Sequence, residues 1–342
     1  MAHRVKPMPP RVTGYFLKYT FAACIALISV NLSFSETATS QVSPRIQSVN
    51  ALSKLHEMSW NHGSPDCSFN EDPAIEVFGY DNASYILRQN KCQSFEAPFI
   101  YVLIGREKAL VLDTGAPAAA ENFPIYETVQ KLFEDQPEEM NGTPKEIIVV
   151  HSHSHRDHHS GDSQFAGKPN VAIVEPNRAS IIHFFQFENW PDGLASIQLG
   201  DREIIIIATP GHQKEAISVY DSQTHWLLTG DTIYPGYIYI QDWSEYKESI
   251  ARLVRFSETH EISALLGGHI EMTREPGKYY PIGTIYQPNE APLALSLDNL
   301  LSLHAVLEKT DKPQEIKGNN FIVAPMNAFQ RTLSNFARWI SQ

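Results

Sequence analysis

Cysteine is scarce in this sequence. Only three of the 342 residues are cysteines, Cys24, Cys67 and Cys92, and they form no CxxC motif. None of them lies close to the histidine-rich segment around residue 155. A reactive thiolate usually depends on a nearby cation, base or second cysteine that lowers its pKa. The scarcity therefore argues against a thiolate metal site and against a thiol redox catalyst.

Positive charge is also scarce. The chain has 27 Lys and Arg residues against 39 Asp and Glu residues, a formal net charge of −12. Four of the basic residues and none of the acids lie in residues 1–35, so the remainder carries 23 against 39, a net charge of −16. Such an acidic surface repels nucleic acid and provides no cluster of basic residues that could bind anionic lipid. We therefore expect a small-molecule substrate and no nucleic-acid partner.

The chain has no apolar run long enough to span a bilayer. The longest run, residues 19–34, is shorter than the roughly 20 residues that a membrane-spanning helix needs. It follows four basic residues, and small residues such as Ser33 and Ser35 stand at its end. This order predicts a secretory signal peptide over residues 1–35, with an uncleaved anchor as the alternative. We expect export to the periplasm or the extracellular space, without stable membrane insertion after cleavage.

Export would leave two cysteines in the mature chain, Cys67 and Cys92. In an oxidising compartment a pair of cysteines predicts one disulfide. Two unrelated buried thiols are the alternative interpretation.

The remaining pattern is that of a mixed α/β protein. The chain is 42% hydrophobic and 19% charged, and polar, turn-rich residues 36–48 predict a flexible leader. Apolar runs and alternation predict strands at residues 84–88, 98–104, 109–114, 147–150, 171–174, 203–208, 217–220, 226–229, 264–266 and 320–323. Helical spacing predicts helices at residues 125–133, 244–256 and 295–308. Several strands end just before a His or Asp, as expected when one rim carries the site.

Residues 153–158 read His-Ser-His-Arg-Asp-His, directly after the predicted strand 147–150. His153 and His155 project to the same side of an extended segment, because side-chain direction has a period of two. Asp157 and His158 follow the bend and can face a second position nearby. Four ligands from one loop exceed what a single tetrahedral ion takes comfortably, so the spacing indicates two adjacent ions.

Three more candidate ligands follow later predicted strands. They are His212, Asp231 and His269, and each is preceded by glycine. Taken singly, such a histidine is most often a surface residue, and such an aspartate is most often a helix N-cap. The three share one pattern with the first segment, which favours a common site.

These residues together resemble the signature of the metallo-β-lactamase superfamily, in order and spacing. The resemblance covers roughly residues 84–270, and Leu110 to Gly115 is similar to the strand that precedes the motif in that family. It implies an α/β fold, an αβ/βα four-layer sandwich with the metal site at one rim. It also implies a hydrolase domain over residues 49–342, with a C-terminal extension after residue 270.

The resemblance further implies the roles of the site residues. One metal would be held by His153, His155 and His212. The other would be held by Asp157, His158 and His269. Asp231 would bridge the two ions. Asp113 would contact a metal-binding side chain and orient it without binding the metal itself.

The chemistry of the donor set predicts the cofactor. Histidine and carboxylate without thiolate suit two divalent ions, zinc first, with iron or manganese as alternatives. Two such ions can share a hydroxide that attacks a carbonyl or phosphoryl centre. Asp157 is the carboxylate expected to orient this nucleophile or to take its proton, and it is the predicted catalytic residue.

The expected substrate is an ester, thioester or lactone, as in glyoxalase-II-like and lactonase-like members of the family. The resemblance carries this expectation, because true β-lactamases of the superfamily usually lack a carboxylate at the position of Asp231. Export favours a β-lactamase instead. A mononuclear iron enzyme similar to persulfide dioxygenases and a binding protein without activity are further alternatives.

The pocket walls are less defined by sequence. Tyr234 and Tyr237 follow Asp231, so one of them is a candidate hydrogen-bond donor to an oxyanion. Trp190 lies in the segment between the first ligands and His212, where a substrate loop would fall, although core packing is the alternative. His151 and His159 are expected to be structural.

Overall fold

The computed structural model describes residues 51–134, 146–328 and 330. The predicted signal peptide (residues 1–35) and leader (residues 36–48) lie outside these residues. Within the described ranges, no helix has both the length and the apolar character that a bilayer span requires.

The first sheet has six strands in sequential order. They are β1 (Ile75–Gly79), β2 (Ser84–Gln89), β3 (Phe99–Ile104), β4 (Lys108–Leu112), β5 (Glu146–Val150) and β6 (Val171–Ile173). The first four strands are antiparallel neighbours, and β4, β5 and β6 run parallel. The carboxyl ends of β4 and β5 therefore meet at one rim of the sheet.

The second sheet also has six strands, in the order β13-β12-β10-β9-β8-β7. They are β7 (Leu194–Gln198), β8 (Glu203–Ala208), β9 (Ile217–Asp221), β10 (Trp226–Gly230), β12 (Ala264–Gly267) and β13 (Ala294–Leu295). β10 and β12 are parallel, so their carboxyl ends also meet at one rim. A smaller sheet joins β11 (Tyr237–Ile240), β15 (Ile322–Pro325) and β14 (Ile316–Lys317).

The helices are α1 (Ile125–Glu134), α2 (Arg156–His159), α3 (Asp162–Phe165), α4 (Arg178–Phe185), α5 (Trp243–Ser257) and α6 (Leu297–Glu308). Helices α1 and α3 pack on the outer face of the first sheet, and α5 and α6 pack on the outer face of the second sheet. Helix α5 starts where the Asp242 side chain accepts the Glu245 N–H at 3.1 Å. Its buried face carries Tyr246, Ile250 and Leu253 at helical spacing.

Alternation along the strands separates three cores. On β8, Ile204 and Ile206 pack between the two sheets, whereas Ile205 and Ile207 face α5 and α6. On the outer face of the first sheet, strand residues pack against α1 and Phe165 of α3. The order is therefore helix, sheet, sheet, helix, and the predicted four-layer αβ/βα sandwich is confirmed.

The described residues after position 270 are part of this fold. β13 pairs with β12 of the second sheet, α6 packs beside α5, and β15 pairs in parallel with β11. The predicted disulfide between Cys67 and Cys92 is present, and it ties a 3-10 turn (Cys67–Phe69) to the segment that follows β2.

Candidate metal centre

The histidine-rich loop begins where β5 ends at Val150. The backbone bends over residues 152–154, is extended at His155 and then enters α2 at Arg156. This change from extended chain to helix places His153 and His155 before the turn and Asp157 and His158 on it. The loop thus divides its ligands between two neighbouring positions, as the spacing predicts.

The first cluster contains His153, His155, His212 and Asp231, whose donor atoms all lie within 4.8 Å of one another. His155 Nδ1 is 2.9 Å from His153 Nε2 and 3.1 Å from His212 Nε2. His212 comes from the loop after β8, so this cluster joins residues that are far apart in the sequence.

The second cluster contains Asp157, His158 and His269, with donor atoms within the same 4.8 Å limit. Asp157 Oδ2 is 3.2 Å from His158 Nε2 and 3.4 Å from His269 Nε2. The two histidine Nε2 atoms are 3.2 Å apart. His269 follows the end of β12, which places its ring opposite the α2 ligands.

Asp231 lies between the clusters and turns one carboxylate oxygen to each. Its Oδ2 atom is 3.6 Å from His153 Nε2 and 3.5 Å from His212 Nε2. Its Oδ1 atom is 3.8 Å from His158 Nε2 and 3.5 Å from His269 Nε2. This is the geometry of a bridging carboxylate.

The spacing of these atoms fits bound cations. Ligands about 2.0–2.1 Å from a tetrahedral ion lie roughly 3.3 Å from one another. The Asp231 Oδ1 atom is buried and accepts no hydrogen bond from any described residue. A buried carboxylate oxygen in that position is costly unless a positive charge satisfies it. The two clusters are therefore consistent with a dinuclear site.

The electrostatics of the first cluster keep its histidines neutral. Burial and the neighbouring imidazoles hold the pKa of His153 well below its usual value, and the same causes lower the pKa of His155 to about 3. Burial also lowers the pKa of His212. Neutral imidazole is the form that binds a metal.

In the second cluster, nearby carboxylates have the dominant effect on the histidine pKa values. Burial lowers the pKa of His269, but Asp231 and Asp157 outweigh it and raise the pKa to about 9. Burial of His158 is likewise outweighed by nearby carboxylates, which hold its pKa well above the usual value. These rings therefore sit in a field that attracts positive charge, whether it is a proton or a metal ion.

Hydrogen bonds on the far side of three rings direct their Nε2 atoms into the clusters. His158 Nδ1 donates to Asp113 Oδ2 at 2.8 Å, His212 Nδ1 donates to the Tyr239 carbonyl at 2.7 Å, and His269 Nδ1 donates to the Glu96 carbonyl at 2.9 Å. A ring that donates through Nδ1 keeps the Nε2 lone pair free for a metal.

His155 has the opposite orientation. Its Nε2 atom is 2.6 Å from the side-chain amide nitrogen of Gln213, and its Nδ1 atom faces the first cluster. Rotation of this amide by 180° exchanges its nitrogen and oxygen, and the oxygen then accepts the Nε2–H group, which leaves the Nδ1 lone pair free for a metal.

Asp113 supports the loop from the end of β4. Its Oδ1 atom accepts the Ser152 N–H at 2.7 Å, and its Oδ2 atom accepts the Ser152 hydroxyl at 2.9 Å. The residue has φ +69°, a left-handed conformation that aspartate tolerates better than most residues. One carboxylate therefore fixes the chain before His153 and the ring of His158.

Two glycines beside the ligands leave no room for a side chain. At Gly230, with φ +48°, a Cβ atom would lie 2.4 Å from Ser152 Cβ. At Gly268 it would lie 2.6 Å from Asp231 Oδ1 and 3.0 Å from His158 Cε1. These glycines allow the strand ends of the second sheet to approach the loop of the first sheet.

The three predicted pocket residues have different surroundings. The ring of Tyr234 is 5.5 Å from the ring of His269, and its hydroxyl donates to the Tyr237 carbonyl at 3.2 Å. The Tyr237 hydroxyl donates to Glu315. Trp190 packs on Phe187, 5.2 Å between ring centroids, beside the core between the sheets.

The flanking histidines have structural partners. His151 Nε2 is 2.8 Å from Asp162 Oδ1 and its Nδ1 is 3.0 Å from the Val174 carbonyl, while His159 packs against the His151 ring.

Sequence reasoning missed Glu96, Tyr239, Gln213 and Glu271 as supporting residues. Glu96 and Tyr239 act through backbone carbonyls, which every residue has, so no sequence signal marks them. Gln213 directly follows His212, and an amide beside a predicted ligand is a signal that could have found it. Glu271 accepts the Tyr237 N–H at 2.7 Å and lies two residues after His269.

Known proteins share this sequence pattern. The family described as "Metallo-beta-lactamase superfamily" matches residues 95–269. The human acyl-coenzyme A thioesterase MBLAC2 is 24% identical over 208 residues, covering 50% of this chain and 72% of that protein. The hydroxyacylglutathione hydrolase of Thiobacillus denitrificans is 27% identical over 141 residues, covering 41% of this chain and 48% of that protein.

Among solved structures, TMB-1 aligns with 70% of this chain and 100% of its own, at 15% identity and a TM-score of 0.44. The family match, residues 95–269, spans just over half of the chain and contains both clusters. The protein therefore belongs to the metallo-β-lactamase superfamily and is a metal-dependent hydrolase.

Proposed function

We propose that the protein is a dinuclear hydrolase of thioesters, with esters and lactones as secondary substrates. The observation that carries this proposal is Asp231, which turns one oxygen to each cluster at 3.5–3.8 Å from the histidine nitrogens. The names of the relatives, an acyl-coenzyme A thioesterase and a hydroxyacylglutathione hydrolase, support a thioester as the leading substrate.

The proposed ligand sets follow the two clusters. The first ion would be held by His153, His155 and His212. The second ion would be held by Asp157, His158 and His269. Asp231 would give one oxygen to each. When bound, two divalent ions supply a hydroxide near neutral pH and polarise the carbonyl of the substrate. Zinc is the proposed metal, with iron and manganese as the alternatives to test.

Asp157 is the proposed catalytic carboxylate. Its side chain remains 18% exposed, more than Asp231 at 8%, so it lies closer to the open side of the site. Burial raises its pKa, but His158 and His269 outweigh burial and hold the pKa well below the usual value. An ionised carboxylate in this position can orient the nucleophile and accept its proton.

The experiment is a substrate panel with metal-free protein reloaded with zinc, manganese or iron. Metal content is measured for each form, and turnover is compared for a thioester, an oxygen ester, a lactone and a β-lactam. We expect about two metals per chain and the highest kcat/KM for the thioester. Fewer than one tightly bound metal, or faster turnover of the β-lactam, would contradict the proposal.

We also propose that the protein is exported. The charged and apolar pattern of residues 1–35 and the Cys67–Cys92 disulfide support this proposal. Fractionation of producing cells and N-terminal sequencing test it. An intact N-terminus and reduced cysteines in the cytosolic fraction would contradict it.

A further inference from the structure

Three tyrosine rings from the segments that follow Asp231 and His269 form a continuous surface. Tyr237 lies in the middle, with ring centroids 4.9 Å from Tyr239 and 5.0 Å from Tyr279. Tyr279 is 44% exposed, and the other two rings are partly exposed. We name these three rings the tyrosine platform.

The strand β11 explains why two of the rings point outward. Its residues alternate, with Ile238 and Ile240 buried in the core that covers the second sheet. Tyr237 and Tyr239 occupy the positions between them and therefore share the opposite face. Tyr279, from the segment after His269, extends this face by one ring.

One edge of β11 runs along the metal ligands. The Ile322 N–H donates to the Gly236 carbonyl and the Met326 N–H donates to the Ile240 carbonyl, so the backbone carbonyls of even-numbered residues face β15. The backbone carbonyls of odd-numbered residues face the opposite edge, where the Tyr239 carbonyl accepts the His212 Nδ1–H at 2.7 Å.

The same edge reaches the second cluster through Glu271. The Glu271 carboxylate accepts the Tyr237 N–H at 2.7 Å, two residues beyond His269. The Glu271 carbonyl accepts the Tyr280 N–H at 2.7 Å, which holds the chain beside Tyr279. The backbone that carries the tyrosine platform is therefore hydrogen-bonded to His212 of the first cluster and to Glu271, two residues after His269 of the second cluster.

The hydroxyl groups near the site already have partners. Tyr237 donates to Glu315, which also pairs with Lys317 at 3.0 Å, and Tyr234 donates to the Tyr237 carbonyl. These bonds make an oxyanion role for either phenol unfavourable. The Tyr237–Glu315 bond also fixes the central ring, so what this residue offers a ligand is ring surface.

We propose that the tyrosine platform binds a planar aromatic group of the substrate and thereby sets specificity. Exposed aromatic surface next to a reaction centre favours a ligand that can stack on it, because ring pairs gain energy beyond simple area burial. The carboxylates of Glu271 and Glu315 beside the rings disfavour an anionic group. This inference rests on the proposed thioesterase function and deepens it.

The experiment compares matched substrates on the metal-loaded protein. In one arm the aromatic group is on the acyl side, as hydrocinnamoyl against butanoyl thioesters of N-acetylcysteamine. In the other arm it is on the leaving thiol, as acetyl thioesters of phenylethanethiol and propanethiol. Together the two arms identify which side of the thioester lies on the platform.

Tyr279→Leu is the informative variant, because it removes an exposed ring that contacts no proposed ligand. We expect kcat/KM for the aromatic substrate of one arm to fall about three- to tenfold, mainly through KM, with a change below about twofold for its aliphatic partner. Tyr279→Phe should retain the preference, because the ring and not the hydroxyl is used.

Tyr286→Leu is the matched control. Tyr286 is 37% exposed on the same segment, but its ring contacts His62 instead of the platform. This variant should leave both substrate pairs unchanged. Binding of hydrocinnamate and phenylethanethiol, followed by calorimetry, gives a second readout that is independent of turnover, and Tyr279→Leu should weaken one of them.

The outcomes separate the two proposals. If the wild type hydrolyses none of the thioesters, the thioesterase proposal fails. If it hydrolyses them but Tyr279→Leu changes the aromatic and aliphatic partners equally in both arms, and binding of both products is unaltered, the platform proposal is wrong.

Discussion

Asp113 is a residue outside both clusters on which the position of His158 depends. Its carboxylate accepts three hydrogen bonds, from the Ser152 N–H, the Ser152 hydroxyl and His158 Nδ1, at 2.7–2.9 Å. We expect Asp113→Ala to weaken binding of the second metal about 10- to 100-fold, because the ring of His158 loses its orientation. Metal affinity measured against a competing chelator tests this.

Asp113→Asn is the matched variant. Asparagine also tolerates the left-handed backbone at this position, so the substitution isolates the loss of charge from backbone strain. We expect Asn to weaken metal binding with a smaller loss of fold stability than Ala. Unchanged affinity in both variants would remove the supporting role of this carboxylate.

Asp157→Asn tests the proposed catalytic carboxylate. We expect kcat to fall by about 10²- to 10⁴-fold, because the amide cannot accept a proton. Metal in the first cluster should remain, since Asp157 lies in the other cluster. Metal content and kcat are measured together, with the exposed Asp311→Asn as control. Near-normal kcat with full metal content would contradict the assigned role.

At the residue scale, the sequence indicated the side chains that can bind metal but not the groups that orient them. His212, Asp231 and His269 could be found because each follows a strand and a glycine. The carbonyls of Glu96 and Tyr239 could not be found, since the role of Glu96 depends on how the turn between β2 and β3 folds and that of Tyr239 on which edge of β11 faces His212. Register and edge direction are properties of the folded sheet.

At the element scale, long apolar strands were the most predictable parts of the fold. The run of isoleucines predicted at residues 203–208 is β8, and residues 264–266 lie in β12. Five strands were missed, namely the two-residue strands β13 and β14 and the longer strands β1, β7 and β11. The three longer strands have only partly buried or alternating side chains, and β11 pairs with β15 more than 80 positions away.

A buried ion pair contributes to the link between the two sheets at the end away from His212. Arg202 precedes β8 and donates two hydrogen bonds of 2.6 Å to Asp221 at the end of β9. It also donates to the Ala83 carbonyl and the Ser84 hydroxyl of the first sheet at 2.8 Å. Removing one partner leaves an uncompensated buried charge.

We expect Asp221→Asn to lower the free energy of unfolding at pH 7 by about 3 kcal/mol. Burial raises the pKa of Asp221, but Arg202 outweighs it and the net pKa is lowered. The ionised form is therefore favoured by folding. Its contribution is complete above the unfolded pKa of about 3.9 and is lost as the pH falls through the lower folded pKa.

Urea unfolding of metal-free protein as a function of pH measures this contribution, because acid also removes metal from histidine ligands. The difference between wild type and Asp221→Asn should be constant from about pH 5 to 8 and shrink below about pH 4. Asp311→Asn serves as the exposed control. If the difference in the free energy of unfolding grows toward low pH, folding does not lower the pKa of Asp221 and the prediction is wrong.

The disulfide links Cys67 and Cys92, which are 25 positions apart in the sequence. Cys92 lies four positions before Glu96. We expect the double variant Cys67→Ser, Cys92→Ser to lose about 3 kcal/mol of stability in metal-free protein, through loop entropy. Because the Glu96 carbonyl holds His269, the variant should also weaken the second metal more than the first. Zinc titration against a chelator measures both affinities, and equal weakening would contradict the link.

At the scale of the whole molecule, the two clusters lie where the two large sheets meet. The proposed ligands His153, His155, Asp157 and His158 follow β5 of the first sheet. The proposed ligands His212, Asp231 and His269 follow strands of the second sheet. The unfolded chain does not hold these groups together, so metal binding is coupled to the packing of one sheet on the other.

Metal removal should therefore lower the stability of the entire fold. A ligand that binds only the folded state at 1,000 times its Kd adds about 4 kcal/mol. Two such ions would raise Tm by roughly 10 °C in a protein of this size. We expect chelation to lower Tm by that amount and zinc to restore it, as measured by calorimetry. His153→Ala, which removes a ligand of the first cluster, should show about half of the shift, and a Tm that is insensitive to chelator in the wild type would exclude a role of the metals in joining the sheets.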